Sequence, residues 1–195
     1  MDARLALADC ARRAYAEGLF SGTSGNLSVR TDRGMLITPT SVRYEILTSE
    51  DLVHQRMDGT VLEGRLAPSS EWRMHAEIYS RFPAVGAVVH THSPHATAFA
   101  AAGKPIPECL IEMRIFLGGE VPCAGYARPG TREVGLRCCE VLSGRGGCLM
   151  ANHGAVAVGK DLDEALLRAE YIEDAAKIAL LSMGLGGPIL LPKDE

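Results

Sequence analysis

Six histidines stand in the chain, at positions 54, 75, 90, 92, 95 and 153. His90 and His92 are two residues apart and close an apolar run, 84–89, that reads as a buried strand. A strand's period of two puts both rings on one face, where their nitrogens can converge on a metal ion. His153 lies in Asn152-His153-Gly154, a polar interruption of the apolar strand segment 148–158. A polar group in such a place needs a partner. Three imidazoles suit Zn²⁺, which keeps a fourth position open when it is catalytic. Glu71 is the best fourth group. It falls in the first turn of a predicted helix, where the dipole favours a carboxylate. Taken one at a time, each of these residues reads equally as a satisfied core histidine or as ordinary helix charge; together they point to a site. His54, His75 and His95 read as structural, since helix phase alone does not make His75 a ligand.

Three further segments are rich in glycine and small hydroxyl residues: Gly22-Thr23-Ser24-Gly25-Asn26, Thr38-Pro39-Thr40-Ser41 and Ser69-Ser70. Glycine lets backbone N–H groups approach an anion, and hydroxyls add donors. Ser69-Ser70 precedes a predicted helix, where an anion is favoured. No Gly-Lys-Ser/Thr phosphate loop occurs. Ordinary capped loops would look similar one by one.

The elements that must position these residues follow from periodicity and breakers. A helix opens the chain over 5–17 and stops at Gly18. Strands are expected at 27–29 and 35–38, and Asp58-Gly59 marks a hairpin between 52–57 and 61–62. A helix over 71–82, with Ser69 or Ser70 as N-cap, ends at Pro83. Helices are also expected at 94–102 and 131–142, and a capping box at Asp161 and Glu164 opens a long amphipathic helix that runs to Gly184. Residues 104–130 give no clear pattern. Hairpins mixed with helices suggest a three-layer α/β or α+β domain with a mixed or antiparallel sheet.

Composition bounds the partners. The 195 residues are 47% hydrophobic and 23% charged, with a formal net charge of −4, which disfavours nucleic acid and anionic membrane surfaces. No apolar run approaches the ~20 residues of a membrane span. Met1-Asp2-Ala3-Arg4 carries no hydrophobic signal core. Six cysteines without a Cys-x-x-Cys pair suggest reduced thiols in a cytoplasmic protein.

Five motifs in this order and spacing resemble the class II aldolase/adducin family. They are Gly22-Thr23-Ser24-Gly25-Asn26-Leu27-Ser28, Leu36-Ile37-Thr38-Pro39-Thr40, Pro68-Ser69-Ser70-Glu71-Trp72, His90-Thr91-His92 and Asn152-His153-Gly154. The likeness runs from about residue 5 to 183 and is nearest to the enzymes that cleave fuculose 1-phosphate. It implies one αβα domain over 1–195, with a mostly antiparallel sheet flanked by helices, in a homotetramer. It implies one Zn²⁺ per subunit, held by Glu71, His90, His92 and His153, with Glu71 also the acid/base. It implies substrate phosphate on Gly25, Asn26, Thr40, Ser41, Ser69 and Ser70. The implied reaction cleaves a phosphorylated ketose, through a metal-stabilised enediolate, to dihydroxyacetone phosphate and an aldehyde such as lactaldehyde. The fuculose-phosphate enzymes carry a tyrosine in the segment matching Leu110-Ile111-Glu112-Met113, where this chain has Ile111, and another near their C-terminus, whereas this chain has none after Tyr171. Tyr126 and Glu112 are the substitutes considered. Within the family, pentulose-5-phosphate 4-epimerisation and methylthioribulose-1-phosphate dehydration are the alternatives. Epimerases carry aspartate in place of Glu71. An adducin-like binding module is the non-catalytic alternative.

Overall fold

A computed structural model describes residues 2–193, so Met1, Asp194 and Glu195, the ends of the expected domain and of the N-terminal reading, lie outside it. Among the described residues, five α-helices flank one eight-stranded sheet. In chain order the elements are α1 (Ala3–Ala16), β1 (Asn26–Thr31), β2 (Gly34–Ile37), β3 (Val53–Gln55), β4 (Val61–Glu63), α2 (Trp72–Arg81), β5 (Ala87–Thr91), α3 (Pro94–Ala101), β6 (Cys123–Ala124), α4 (Arg132–Val141), β7 (Gly147–Met150), β8 (Gly154–Gly159) and α5 (Leu162–Met183). The strand order is β4-β3-β2-β1-β5-β8-β7-β6, and every pairing is antiparallel except β6 with β7. Strand β5 therefore joins two parts of the sheet: the local meander β1–β4 and the group β8-β7-β6.

Alternation along β5 and β8 builds two cores. Ala87, Val89, Ala155 and Ala157 face α1, α3 and α5; Val88, Val156 and Val158 face α2 and α4. The α5 side is lined by Ala165, Ala169, Ala175, Ala176 and Ala179, so alanine meets alanine and the helix lies close on the sheet. Helix α2 buries Met74, Ile78 and Tyr79 against the opposite face. Each fully buried side chain of this size contributes roughly 1.5–3 kcal/mol.

Four local readings change. The apolar segment 148–158 is a β7–β8 hairpin rather than one interrupted strand; Asn152 sits at its tip with φ 58°, a conformation its short amide side chain tolerates. Strand β5 runs on through His90 to Thr91. The N-cap of α2 is Glu71 itself, while Ser69 Oγ accepts from the Glu71 N–H at 3.3 Å. At α5 the Asp161 carboxylate caps Glu164 N–H as expected, but Glu164 reaches the N–H of Lys160. In the patternless 104–130 region lie a π-helical turn, Met113–Leu117, and the two-residue β6. All six cysteines are free thiols. Among the described residues no helix is long and apolar enough to cross a membrane.

Candidate metal centre and active site

The site forms on the α2 side of the sheet where β1 meets β5. Asn26 and His90 are register partners across these strands. Glu71 enters from the start of α2, and His153 from the β7–β8 turn. His92 follows the last residue of β5, and its N–H bonds the carbonyl of Leu19 at 3.2 Å. One ligand atom each from Glu71, His90, His92 and His153 lies within 4.8 Å of all the others. The three ring centroids stand 4.8, 4.8 and 5.1 Å apart. Gly154 is required here, because a Cβ would collide with the carbonyl oxygen of Thr91.

The donor set fits a cation. His90 Nδ1 lies 2.9 Å from the carbonyl of Ala155 and must donate to it, which leaves Nε2 bare in the neutral ring. That Nε2 faces Glu71 Oε2 at 2.9 Å and His92 Nε2 at 3.0 Å. Such a gathering of lone pairs is repulsive unless a positive charge sits among them. Glu71 Oε1 is buried without a hydrogen-bond partner and lies 3.4 Å from His153 Nε2. Burial, with His90 beside them, lowers His92 and His153 to about 4, so both rings are neutral at neutral pH, the state a metal ligand needs. For Glu71, burial alone would raise the pKa; the facing His90 and His153 and the Asn26 amide outweigh it and hold the carboxylate well below its usual range. The four residues are thus able to hold a metal ion.

The small-residue loops arrive at the same place. Pro39 and Pro68 form an isolated antiparallel bridge, with Thr40 N–H bonded to Ala67 O and Ser69 N–H to Thr38 O, both at 3.0 Å. Thr38 Oγ1 accepts from Leu27 N–H at 3.2 Å and Tyr44 OH donates to Gly25 O at 2.6 Å. Gly25 has φ 85°, and a Cβ there would strike the Phe20 ring. The result is a cleft of about 270 Å³ lined by Gly25, Asn26, Thr40, Ser41, Ser69, Ser70, Glu71, His92 and His153, with Thr23, Ser24 and Pro39 beside them. His90 lies beneath it, fully buried. Every residue of the nominated metal and phosphate sets is therefore in or under one cleft. Pro129 and Gly130 also line it and were not foreseen; they come from the patternless stretch, and Arg73 holds Gly130 O at 3.3 Å. Tyr126 and Glu112 are not among the residues lining it.

The chain matches the family model described as Class II Aldolase and Adducin N-terminal domain over residues 5–180. The chain belongs to the class II aldolase/adducin family. A 5-methylthioribulose-1-phosphate/5-deoxyribulose-1-phosphate aldolase of Rhodospirillum rubrum is 38% identical, covering 98% of this chain and 86% of the relative. An L-fuculose phosphate aldolase of Escherichia coli O6:H1 is 40% identical over 91% of this chain and 82% of its own. A solved L-fuculose 1-phosphate aldolase superposes with a TM-score of 0.94 at 33% identity, covering 99% of this chain and 92% of that one. The fold is the class II aldolase fold, and these relatives are aldolases, which are aldehyde-lyases of the class II type.

His75, beneath the cleft, is fully buried, and its burial lowers it to about 3. The unfolded chain protonates this ring below about pH 6.5 while the folded chain refuses the proton until about pH 3. Folding stability is therefore expected to fall by about 1.4 kcal/mol per pH unit from His75 alone as pH drops from 6.5. His92 and His153 add losses of the same sign. Urea unfolding at pH 7, 6 and 5 checks this; a midpoint that does not fall with pH contradicts it.

Proposed function

We propose that the chain is an aldolase that cleaves a ketose 1-phosphate of the L-fuculose 1-phosphate type to dihydroxyacetone phosphate and an aldehyde such as lactaldehyde. One observation carries this reading. A single cleft sets the Glu71, His92 and His153 side chains against the loops 23–26, 39–41 and 69–70. Ser69, Ser70, Thr40, Ser41 and the 25–26 backbone bind the phosphate and fix the sugar's C3–C4 bond beside Glu71; binding energy remote from the reacting bond thus becomes orientation. Zn²⁺, one per subunit on Glu71, His90, His92 and His153, would supply the positive charge that stabilises an enediolate. The C4 hydroxyl gives up its proton as the aldehyde C=O forms, the C3–C4 bonding pair stays on C3, and Glu71 moves a proton from oxygen to C3, so that one proton leaves and one is taken up. The enzyme works as a cytoplasmic homotetramer.

A 5-deoxypentulose 1-phosphate is a second candidate substrate, favoured by the Rhodospirillum relative's match over nearly the whole chain. Zinc-loaded protein should release dihydroxyacetone phosphate from L-fuculose 1-phosphate, 5-deoxyribulose 1-phosphate or 5-methylthioribulose 1-phosphate. It should do so with kcat/KM at least about 100-fold above that for the unphosphorylated ketose. Epimerised ribulose 5-phosphate with no triose product would make it an epimerase instead. Dehydrated methylthioribulose 1-phosphate would make it a dehydratase. Protein that neither takes up metal nor turns over any of these would be a binding module.

A further inference from the structure

From Glu71 inward, five polar side chains alternate between β1 and the start and body of α2. Asn26 and Ser28 are two apart on the strand; Glu71, His75 and Tyr79 are four apart along the helix start and helix. The spacings match, about 6.7 Å per two strand residues against about 6 Å per four helical residues, so the two rows interleave. Tyr79 OH lies 2.8 Å from Ser28 Oγ, Ser28 Oγ 2.7 Å from His75 Nδ1, His75 Nε2 2.6 Å from Asn26 Oδ1, and Asn26 Nδ2 3.2 Å from Glu71 Oε2. Asn26, Ser28, His75 and Tyr79 are each at most 4% exposed.

The carboxylate sets the polarity of the whole chain. Glu71 Oε2 only accepts, so Asn26 must turn its NH₂ toward it and its Oδ1 toward His75. Oδ1 only accepts, so the His75 proton is on Nε2. Nδ1 is then bare and accepts from Ser28, which in turn accepts from Tyr79. Every donor points toward Glu71.

We propose that His75 is a positioning residue: through its Nε2–H it locks the Asn26 amide in the one orientation that gives Glu71 a neutral donor, and so fixes the Glu71 carboxylate. Without that donor the Asn26 amide is free to flip and place Oδ1 against the carboxylate, which then swings away. The functional weight of this rests on the proposed role of Glu71, but its structural content does not.

Asparagine occurs only at positions 26 and 152, so zinc-loaded protein labelled with ¹⁵N-asparagine shows two side-chain amide pairs. In His75→Leu the Asn26 NH₂ should exchange with solvent at least about tenfold faster, or split into two signals, while the Asn152 pair stays put. In His75→Gln, whose amide nitrogen replaces Nε2, the Asn26 pair should keep its slow exchange. In activity, His75→Leu should lower kcat about tenfold with little change in KM, with most of the loss restored in His75→Gln, in line with outer-shell partners of metal sites. If His75→Leu does not fold, Tyr79→Phe removes only the first donor and should quicken Asn26 exchange by about threefold. Asn26 exchange equal to wild type in the folded variant overturns the proposal. A chain that cleaves none of the ketose 1-phosphates would sink the aldolase reading and leave the amide experiment standing.

Discussion

His90→Ala is expected to lose its bound zinc and, with it, at least about 1,000-fold in kcat/KM, a larger loss than outer-shell substitutions give. His90 is the hub of the cluster. Its Nε2 lies within 3.0 Å of both Glu71 and His92, and its Nδ1 is fixed on the Ala155 carbonyl. The ring is fully buried on β5, so its removal leaves a gap beneath the cleft rather than a surface change. Two imidazoles and a carboxylate would remain, held in places set by a ring that is gone. Metal content after dialysis, read by elemental analysis, is the check. The matched control is His54→Ala, because His54 bonds Thr31 at the meander's far side and should keep about one metal per chain. Full zinc in dialysed His90→Ala would remove the cluster from the account.

Glu71→Gln should separate binding from chemistry. Three imidazoles suffice for a zinc site, so most of the metal should stay. Turnover should fall by about 100- to 10,000-fold, the range expected when a positioned acid/base is lost. The replacement keeps length and shape, and its amide oxygen can still accept from Asn26 Nδ2, so packing under the cleft is retained. What is lost is the negative charge opposite His90 and His153 and a group able to take and give a proton. Steady-state release of dihydroxyacetone phosphate, measured alongside zinc content, decides the point. An unchanged kcat would take Glu71 out of the reaction, and equal loss of metal and rate would make it a ligand alone.

The three candidate histidine donors were legible because they broke a local pattern, and Glu71 because it opened a helix. His90 and His92 sit where an apolar strand should end in solvent, and His153 interrupts an apolar run. The loops were legible because three clusters of glycine and hydroxyl residues recur in the first seventy residues, although each alone resembles an ordinary capped loop. The hairpin at Asn152 was not, since its turn is set by one left-handed residue and by the Asn152 N–H bonded to Ala100 O at 2.9 Å, a contact across the fold. Residues 104–130 were not, because tertiary contacts hold them, such as the bridge between Ile106 and Val121. Pro129 and Gly130 were hidden in that stretch. His75 was read as structural; the structure shows it buried with a partner on each ring nitrogen, and those partners were out of sight. The signal existed as Asn26-x-Ser28 facing Glu71-x₃-His75-x₃-Tyr79, and only the β1–α2 packing shows that the two rows mesh.

The central place of β5 has a consequence for biosynthesis. A nascent polypeptide that has emerged only as far as β5 can close the meander β1–β4 from neighbouring segments, yet it carries Glu71 and His90 without His153. The last donor arrives some sixty residues later, on the hairpin that seals β5 from its other edge. On the proposed reading, the full set of four candidate donors is thereby assembled only once the two sides of the sheet have been joined.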